Sequence, residues 1–379
     1  MHHLQSDNRH RGSRLSRMRR RTACAALLAL SLLAVQVAAE PTVYPAPAGG
    51  DDRVLTVFDV MEPSAAEPLI DGFQNHHPNV TVHYHYVSTR ELYQRFLWKV
   101  GTDDADVPDL LLSSAMDHQM KLANDGYATP HRSRATEALP EWARWRDEAF
   151  AFSFEPVVLI YNREHLEGDP PGSRFELLER LQTAPERYRF RVGAYDPVSA
   201  GAGYLVLTQD AEHSPIFWEL TQVFGSTNLR TFPHAADMLD RVAEGELLLA
   251  YGLPGSYARA WAKEHSQLGV VLMEDYTLAF SRVALIPEQA QAQTLARQYL
   301  DFLLSREGQR IMAGPSGLYA IRPDIDGEHT YAQLATGEAT GRLRPIRLGP
   351  GLLVYQDGYK RGQFLDRWQR LTGDHTAPF

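Results

Sequence analysis

Short apolar runs alternate with helical patterns along most of this chain. Residues 54–58 and 80–87 read as strands, and between them Ala66, Leu69, Ile70 and Phe73 recur at helical spacing. Ser64 and Glu67 have the spacing of a capping box at the start of that helix. Residues 91–100, with Leu92 and Phe96, predict a second helix. Three consecutive leucines at 110–112 then predict a strand buried on both faces, as in a parallel sheet. Met116, Met120 and Ala123 share one face of the helix that follows. Ser114 and Asp117 again have capping-box spacing, and Asn124-Asp125-Gly126 supplies a stop.

Beyond Pro156 the strands become more apolar. Residues 157–161, 190–195 and 247–251 predict strands, each followed by loop and helix, and 276–287 predicts one long strand returning to the first part of the fold. Leu295, Tyr299, Phe302 and Leu303 mark a helix ending near Ser305, and 363–371 reads as a last helix. Strand–helix alternation predicts an α/β fold, here in two lobes, each a mostly parallel sheet flanked by helices. The first lobe takes 53–156 with 283–325, and the second takes 157–282 including the hinge strands. Residues 326–379 form a C-terminal segment packed on the lobes.

Four strand–helix junctions share one composition, rich in Ser, Gly and acids: 59–64, 113–114, 196–203 and 252–256. Ligands of open α/β sheets bind beyond the carboxyl ends of strands, so two such junctions per lobe predict a site in the cleft between lobes. Ser113 and Ser114 stand where unpaired N–H groups and the helix dipole favour an anion; helix capping is the competing role for Ser114. Ser199, Gly201 and Gly203 form a loop in which a ligand can approach backbone closely, or simply a turn before a helix. Asp59, Glu62 and Asp196 suit ligand hydroxyls rather than phosphate, with surface or capping roles as the alternative for each. Ser256, Tyr251 and Tyr276 are placed at the cleft, with core packing as the alternative for the tyrosines. Arg282 offers a guanidinium for a carboxylate or phosphate, or a structural ion pair.

Composition narrows the partners. Seven arginines before residue 22, an apolar run at 23–37 and Val37-Ala38-Ala39 before Glu40 have the form of an export signal covering 1–39, with cleavage near Ala39. A flexible lead-in, 40–52, follows. Cleavage removes the only cysteine, Cys24, so an ordinary apolar core must hold the fold. Removing seven Arg and one Asp leaves 31 basic against 46 acidic side chains, a net charge of −15. So acidic a surface argues against nucleic acid as partner. His83 and His85 alternate on one strand, but no wider ligand set accompanies them, so neither a metal nor another cofactor is expected. No Gly-x-Ser-x-Gly, His-Glu-x-x-His or phosphate-loop motif occurs, which counts against an enzyme.

Several segments carry a family likeness. Leu55-Thr56-Val57-Phe58, Phe73-Gln74-Asn75-His76-His77-Pro78, Tyr276-Thr277-Leu278, Ser281-Arg282-Val283-Ala284 and residues 301–309, Asp-Phe-Leu-Leu-Ser-Arg-Glu-Gly-Gln, span most of 53–323. In these the chain resembles bacterial periplasmic solute-binding proteins of the two-lobed type II fold. The likeness is to the branch of ferric-iron binders, hexose-phosphate binders and phosphoglycerate transport regulatory proteins. It implies two lobes joined by two hinge strands and a monomeric receptor. Such a receptor presents a small anionic metabolite to a membrane ABC permease or to a sensor kinase. Ferric-iron members hold the metal with adjacent tyrosines, and this chain has no Tyr-Tyr pair.

Overall fold

The apolar runs assemble into two separate sheets. The structure, a computed structural model, describes residues 40–50, 53–102, 107–336 and 342–373; the expected export signal at 1–39 lies outside the described residues. The strands are β1 (Thr42–Tyr44), β2 (Val54–Asp59), β3 (Thr81–Tyr86), β4 (Leu110–Ser113), β5 (Arg144–Trp145), β6 (Ala149–Ala151) and β7 (Glu155–Asn162). They continue with β8 (Val192–Tyr195), β9 (Arg230–Phe232), β10 (Leu249–Pro254), β11 (Leu268–Val271), β12 (Thr277–Phe280), β13 (Val283–Leu285) and β14 (Leu343–Pro345). The first sheet runs β1-β3-β2-β4-β13-β6-β5. The second runs β14-β12-β7-β10-β8-β9, with β11 also on β7.

Both sheets are mixed rather than mostly parallel. β2 lies parallel to β3 and β4, and β8 to β9 and β10. The strands that carry the chain between lobes run back against their neighbours: β7 is antiparallel to β10 and β12, and β13 to β4 and β6. Thr42–Tyr44, expected within a flexible lead-in, instead pair with β3, whose outer edge offers free backbone groups.

The long strand expected over 276–287 is divided. β12 belongs to the second sheet and β13 to the first, with Ser281 and Arg282 between them. Beside this break Phe280 pairs with Glu155 and Ala279 with Pro156. The Arg282 N–H donates to Ser153 Oγ at 3.0 Å, and Phe152 N–H donates to the Arg282 carbonyl at 2.9 Å. These two antiparallel passages form the hinge.

Helices pack where the 3.6-residue patterns place them. Helix Pro63–His76 buries Ala66, Leu69, Ile70 and Phe73, and helix Gln293–Leu304 buries Leu295, Tyr299 and Leu303 against the same sheet. Full burial of one such side chain contributes about 1.5–3 kcal/mol. Neither expected capping box forms. Glu62 is the N-cap of the first helix with Pro63 as its first residue, and the helix after β4 (Met116–Asn124) has Ala115, one residue beyond Ser114, as N-cap. Its stop is as expected: Gly126 takes φ +85° and donates to Ala123. The last helix, Gly358–Thr372, is longer than its apolar pattern because Asp357 caps Lys360 N–H at its start.

Candidate functional site

Strand ends of both sheets deliver side chains to the hinge. Asp59 ends β2 and is fully buried; its Oδ1 accepts from Met61 N–H at 3.0 Å, while Oδ2 has no partner. Burial raises its pKa to about 6, against the pull of Arg282 and nearby amides. Glu155, at the start of β7, is also fully buried, and both its oxygens lack a hydrogen bond of normal geometry. Burial raises its pKa as well, opposed chiefly by Arg282. The guanidinium thus lies within electrostatic range of two carboxylates, one from the first sheet and one from the hinge strand. It donates to Tyr257 Oη at 3.2 Å, and its Nε is buried without a partner.

Hydroxyls and rings gather around this charge. Ser281 has a buried Oγ with no partner, and Ser256 Oγ is buried within reach of Glu155 but without a hydrogen bond of normal geometry. Helix Gly255–Glu264 starts directly beside the hinge, where a β-carbon on Gly255 would lie 2.7 Å from the Pro156 ring. Tyr86 at the end of β3, Tyr195 at the end of β8 and Tyr257 all lie within electrostatic range of Arg282. Tyr86 donates to Glu62 Oε1 at 2.5 Å, and burial raises the pKa of both Tyr86 and Tyr195. A carboxylate or phosphate arriving here meets one fixed cation, unpaired hydroxyls and a helix amino end. Two acids close by favour a ligand that also brings hydroxyl donors.

The other expected residues are divided between two further places. Gly201 opens helix Gly201–His213 and approaches the first lobe: a β-carbon there would lie 2.6 Å from Thr89 Oγ1 and 3.5 Å from the His118 ring. Thr89 and His118 occupy the first turns of helices Thr89–Gly101 and Met116–Asn124, so helix amino ends of both lobes face one another and the cleft is shut. Ser113 Oγ accepts from Ala115 N–H at 3.2 Å, and Ser114 is buried beside it with no capping bond. Asp196 holds its own turn, accepting from Val198 N–H at 2.9 Å and Ser199 Oγ at 2.5 Å.

Three of the expected residues have other contacts. At Gly203 packing alone demands glycine, because a β-carbon would lie 2.4 Å from that of Tyr195. Tyr251 and Tyr276 do not join the Arg282 group: both hydroxyls donate to Asp210, which also accepts from Arg174 Nε at 2.9 Å. Arg174 further donates to Asp275 at 3.1 Å and to the Tyr276 carbonyl at 2.9 Å, making a closed, satisfied cluster inside the second lobe. Glu155 and Tyr195 were not singled out from the sequence. Glu155 reads there as a charge before Pro156, and only the hinge pairing with Phe280 reveals its place.

The described residues also form surface concavities. One of about 770 Å³ opens between Trp218, Tyr355 and the helix Gly358–Thr372. Among the described residues, no helix is long and apolar enough to cross a membrane.

The comparisons agree with this architecture. Residues 55–314 match the model of a family described as bacterial extracellular solute-binding protein. The substrate-binding protein of an ABC transporter from Agrobacterium tumefaciens is similar at 35% identity and TM-score 0.82, over 87% of this chain and 98% of that one. Iron-bound HitA from Pseudomonas aeruginosa is similar in fold at 16% identity and TM-score 0.67, over 84% and 99% of the two chains. AfuA from Actinobacillus pleuropneumoniae, with fructose-6-phosphate bound, stands at 13% identity and TM-score 0.70, over 85% and 99%. No curated protein sequence matches the chain. A two-lobed fold crossed at a hinge, a shut cleft lined by helix amino ends and a family match over most of the length lead to one assignment: the chain belongs to the bacterial extracellular solute-binding proteins.

Proposed function

We propose that the protein is a monomeric periplasmic receptor that captures a small hydroxylated anion, phosphorylated or carboxylated, between its lobes and delivers it to an ABC importer. The observation that carries this reading is the Arg282 guanidinium. It is buried at the hinge with Nε unpaired, next in the chain to Ser281, whose buried Oγ is also unpaired. Asp59 and Glu155 are the acceptors for ligand hydroxyls, and Asp59, with its pKa near 6, also donates when protonated. Delivery to an importer is supported by likeness to the Agrobacterium protein, and a sugar phosphate falls within the ligand class by likeness in fold to AfuA.

Thermal denaturation in the presence of sugar phosphates, phosphoglycerates, dicarboxylates and Fe³⁺ tests the reading. An anion at a hundred times its Kd adds about 2.7 kcal/mol of stability and raises the melting temperature accordingly. Stabilisation by Fe³⁺ alone would overturn the ligand class, and the fold does bring the non-adjacent Tyr195 and Tyr257 within electrostatic range of each other.

A further inference from the structure

The C-terminal segment is tied to both lobes. β14 lies parallel to β12 on the edge of the second sheet, and Ile346 N–H donates to the Ala279 carbonyl at 2.8 Å. Helix Gly358–Thr372 is also anchored on the second lobe, with Phe364 and Trp368 against Phe217. Between these anchors the chain leaves that lobe. Leu348 N–H donates to the Trp142 carbonyl at 2.8 Å, and Leu348 and Leu352 join the apolar cluster that holds Leu112, Met116 and Met120. The short 3₁₀ turns of Pro350–Gln356 lie along helix Met116–Asn124.

Two hydrogen bonds fix the end of that turn. Gln356 Nε2 donates to Asp117 Oδ2 in the first turn of helix Met116–Asn124. Tyr355 gives its carbonyl to Tyr204 Oη, 2.9 Å away on helix Gly201–His213. These are the same two helices that meet through His118 and Gly201. Since both anchors sit on the second lobe and the middle is lodged in the first, rotation that opens the cleft must withdraw the middle or release an anchor. Asp117 Oδ1 is buried without a partner, so Gln356 supplies the side-chain donor this carboxylate has in the closed arrangement.

We propose that residues 346–356 are a strap that holds the closed form, the Gln356–Asp117 bond being made on closure and lost on opening. The strap then sets the balance of open and closed states before any ligand arrives. This rests on the lobes moving about the hinge and not on the identity of the ligand.

The test uses the unliganded full chain with Cys24→Ser and spin labels at Arg90→Cys and Val198→Cys, exposed positions either side of the Thr89–Gly201 contact. Label separations are measured by double electron–electron resonance. Gln356→Ala should move the population to longer separations, with the closed-to-open ratio falling about tenfold. Tyr204→Phe should do so to a smaller extent, and Asp117→Asn, which keeps an acceptor, should restore most of the short separation relative to Asp117→Ala. Melting temperatures identify which variants are folded, and if Gln356→Ala is not, Tyr204→Phe decides. Unchanged separations in the folded variants would overturn the proposal, as would a wild-type chain found only at long separations.

Discussion

Gly201 on the second lobe and Thr89 on the first meet so closely that a β-carbon at 201 would stand 2.6 Å from Thr89 Oγ1. The contact exists only while the cleft is shut. Gly201→Ala therefore penalises closure and leaves each lobe's own packing untouched. Affinity for the bound solute should fall at least tenfold, while the denaturation midpoint without ligand moves little. Isothermal titration with the anion found by thermal screening reads the first, and urea melts read the second. An Ala variant that binds as tightly as the wild type would mean that closure bypasses this contact.

Asp210 gathers Arg174, Tyr251 and Tyr276 in the second lobe, with both charged side chains buried to within 3%. Removing one partner of a buried ion pair strands the other, at a typical cost of 3–5 kcal/mol. Asp210→Ala should lower stability by about that amount in chemical denaturation. Tyr251→Phe removes one hydrogen bond and should cost about 1 kcal/mol. Because these hydroxyls are spent on Asp210, Tyr251→Phe should leave anion affinity within about twofold. A tenfold loss of affinity would restore Tyr251 to the ligand.

Much of the architecture was legible in hydrophobic spacing, because strands and helices here bury continuous apolar stripes. The leucines at 110–112 form β4, and Met116, Met120 and Ala123 do lie on a buried helix face. The division of 276–287 was not legible, since two polar residues, Ser281-Arg282, are too short a break to mark a strand end and the two halves differ only in which sheet receives them. Capping by Ser114 failed because its helix begins one residue late and Asp117 is engaged by Gln356, some 239 positions away. Site residues followed the same rule. Those at strand–helix junctions, such as Asp59 and Ser256, could be nominated from local composition. Glu155 and the pairing of Tyr251 with Asp210 depend on contacts between distant segments, which no local pattern records.

Ser113 and Ser114, adjacent in sequence, should separate cleanly on substitution. Ser113 Oγ accepts from Ala115 N–H, so Ser113→Ala leaves a buried donor unsatisfied and costs about 1 kcal/mol. Ser114 makes no capping bond, and Ser114→Ala should change stability by less than about 0.5 kcal/mol. If Ser114 serves the ligand, affinity falls with stability unchanged. Equal stability losses for the two variants would contradict the assigned bonds.

Stability should carry an unusual acid dependence at Asp59. Its pKa is near 3.8 unfolded and about 6 folded, raised by burial. The folded state therefore binds the proton more tightly, and the associated stability is fully present below pH 3.8 and lost as pH rises through 6. The loss amounts to something on the order of 3 kcal/mol. His85 acts in the same window with the opposite sign. Burial lowers its pKa to about 4, so its contribution is full above pH 6.5 and lost as pH falls through 4. The wild-type profile superposes the two, and the difference between wild type and Asp59→Asn isolates the first. Urea midpoints taken from pH 4 to 7 should show the wild type losing stability relative to Asp59→Asn as pH rises. Parallel profiles would place the Asp59 carboxyl in a wetter setting than its burial and unpaired Oδ2 imply.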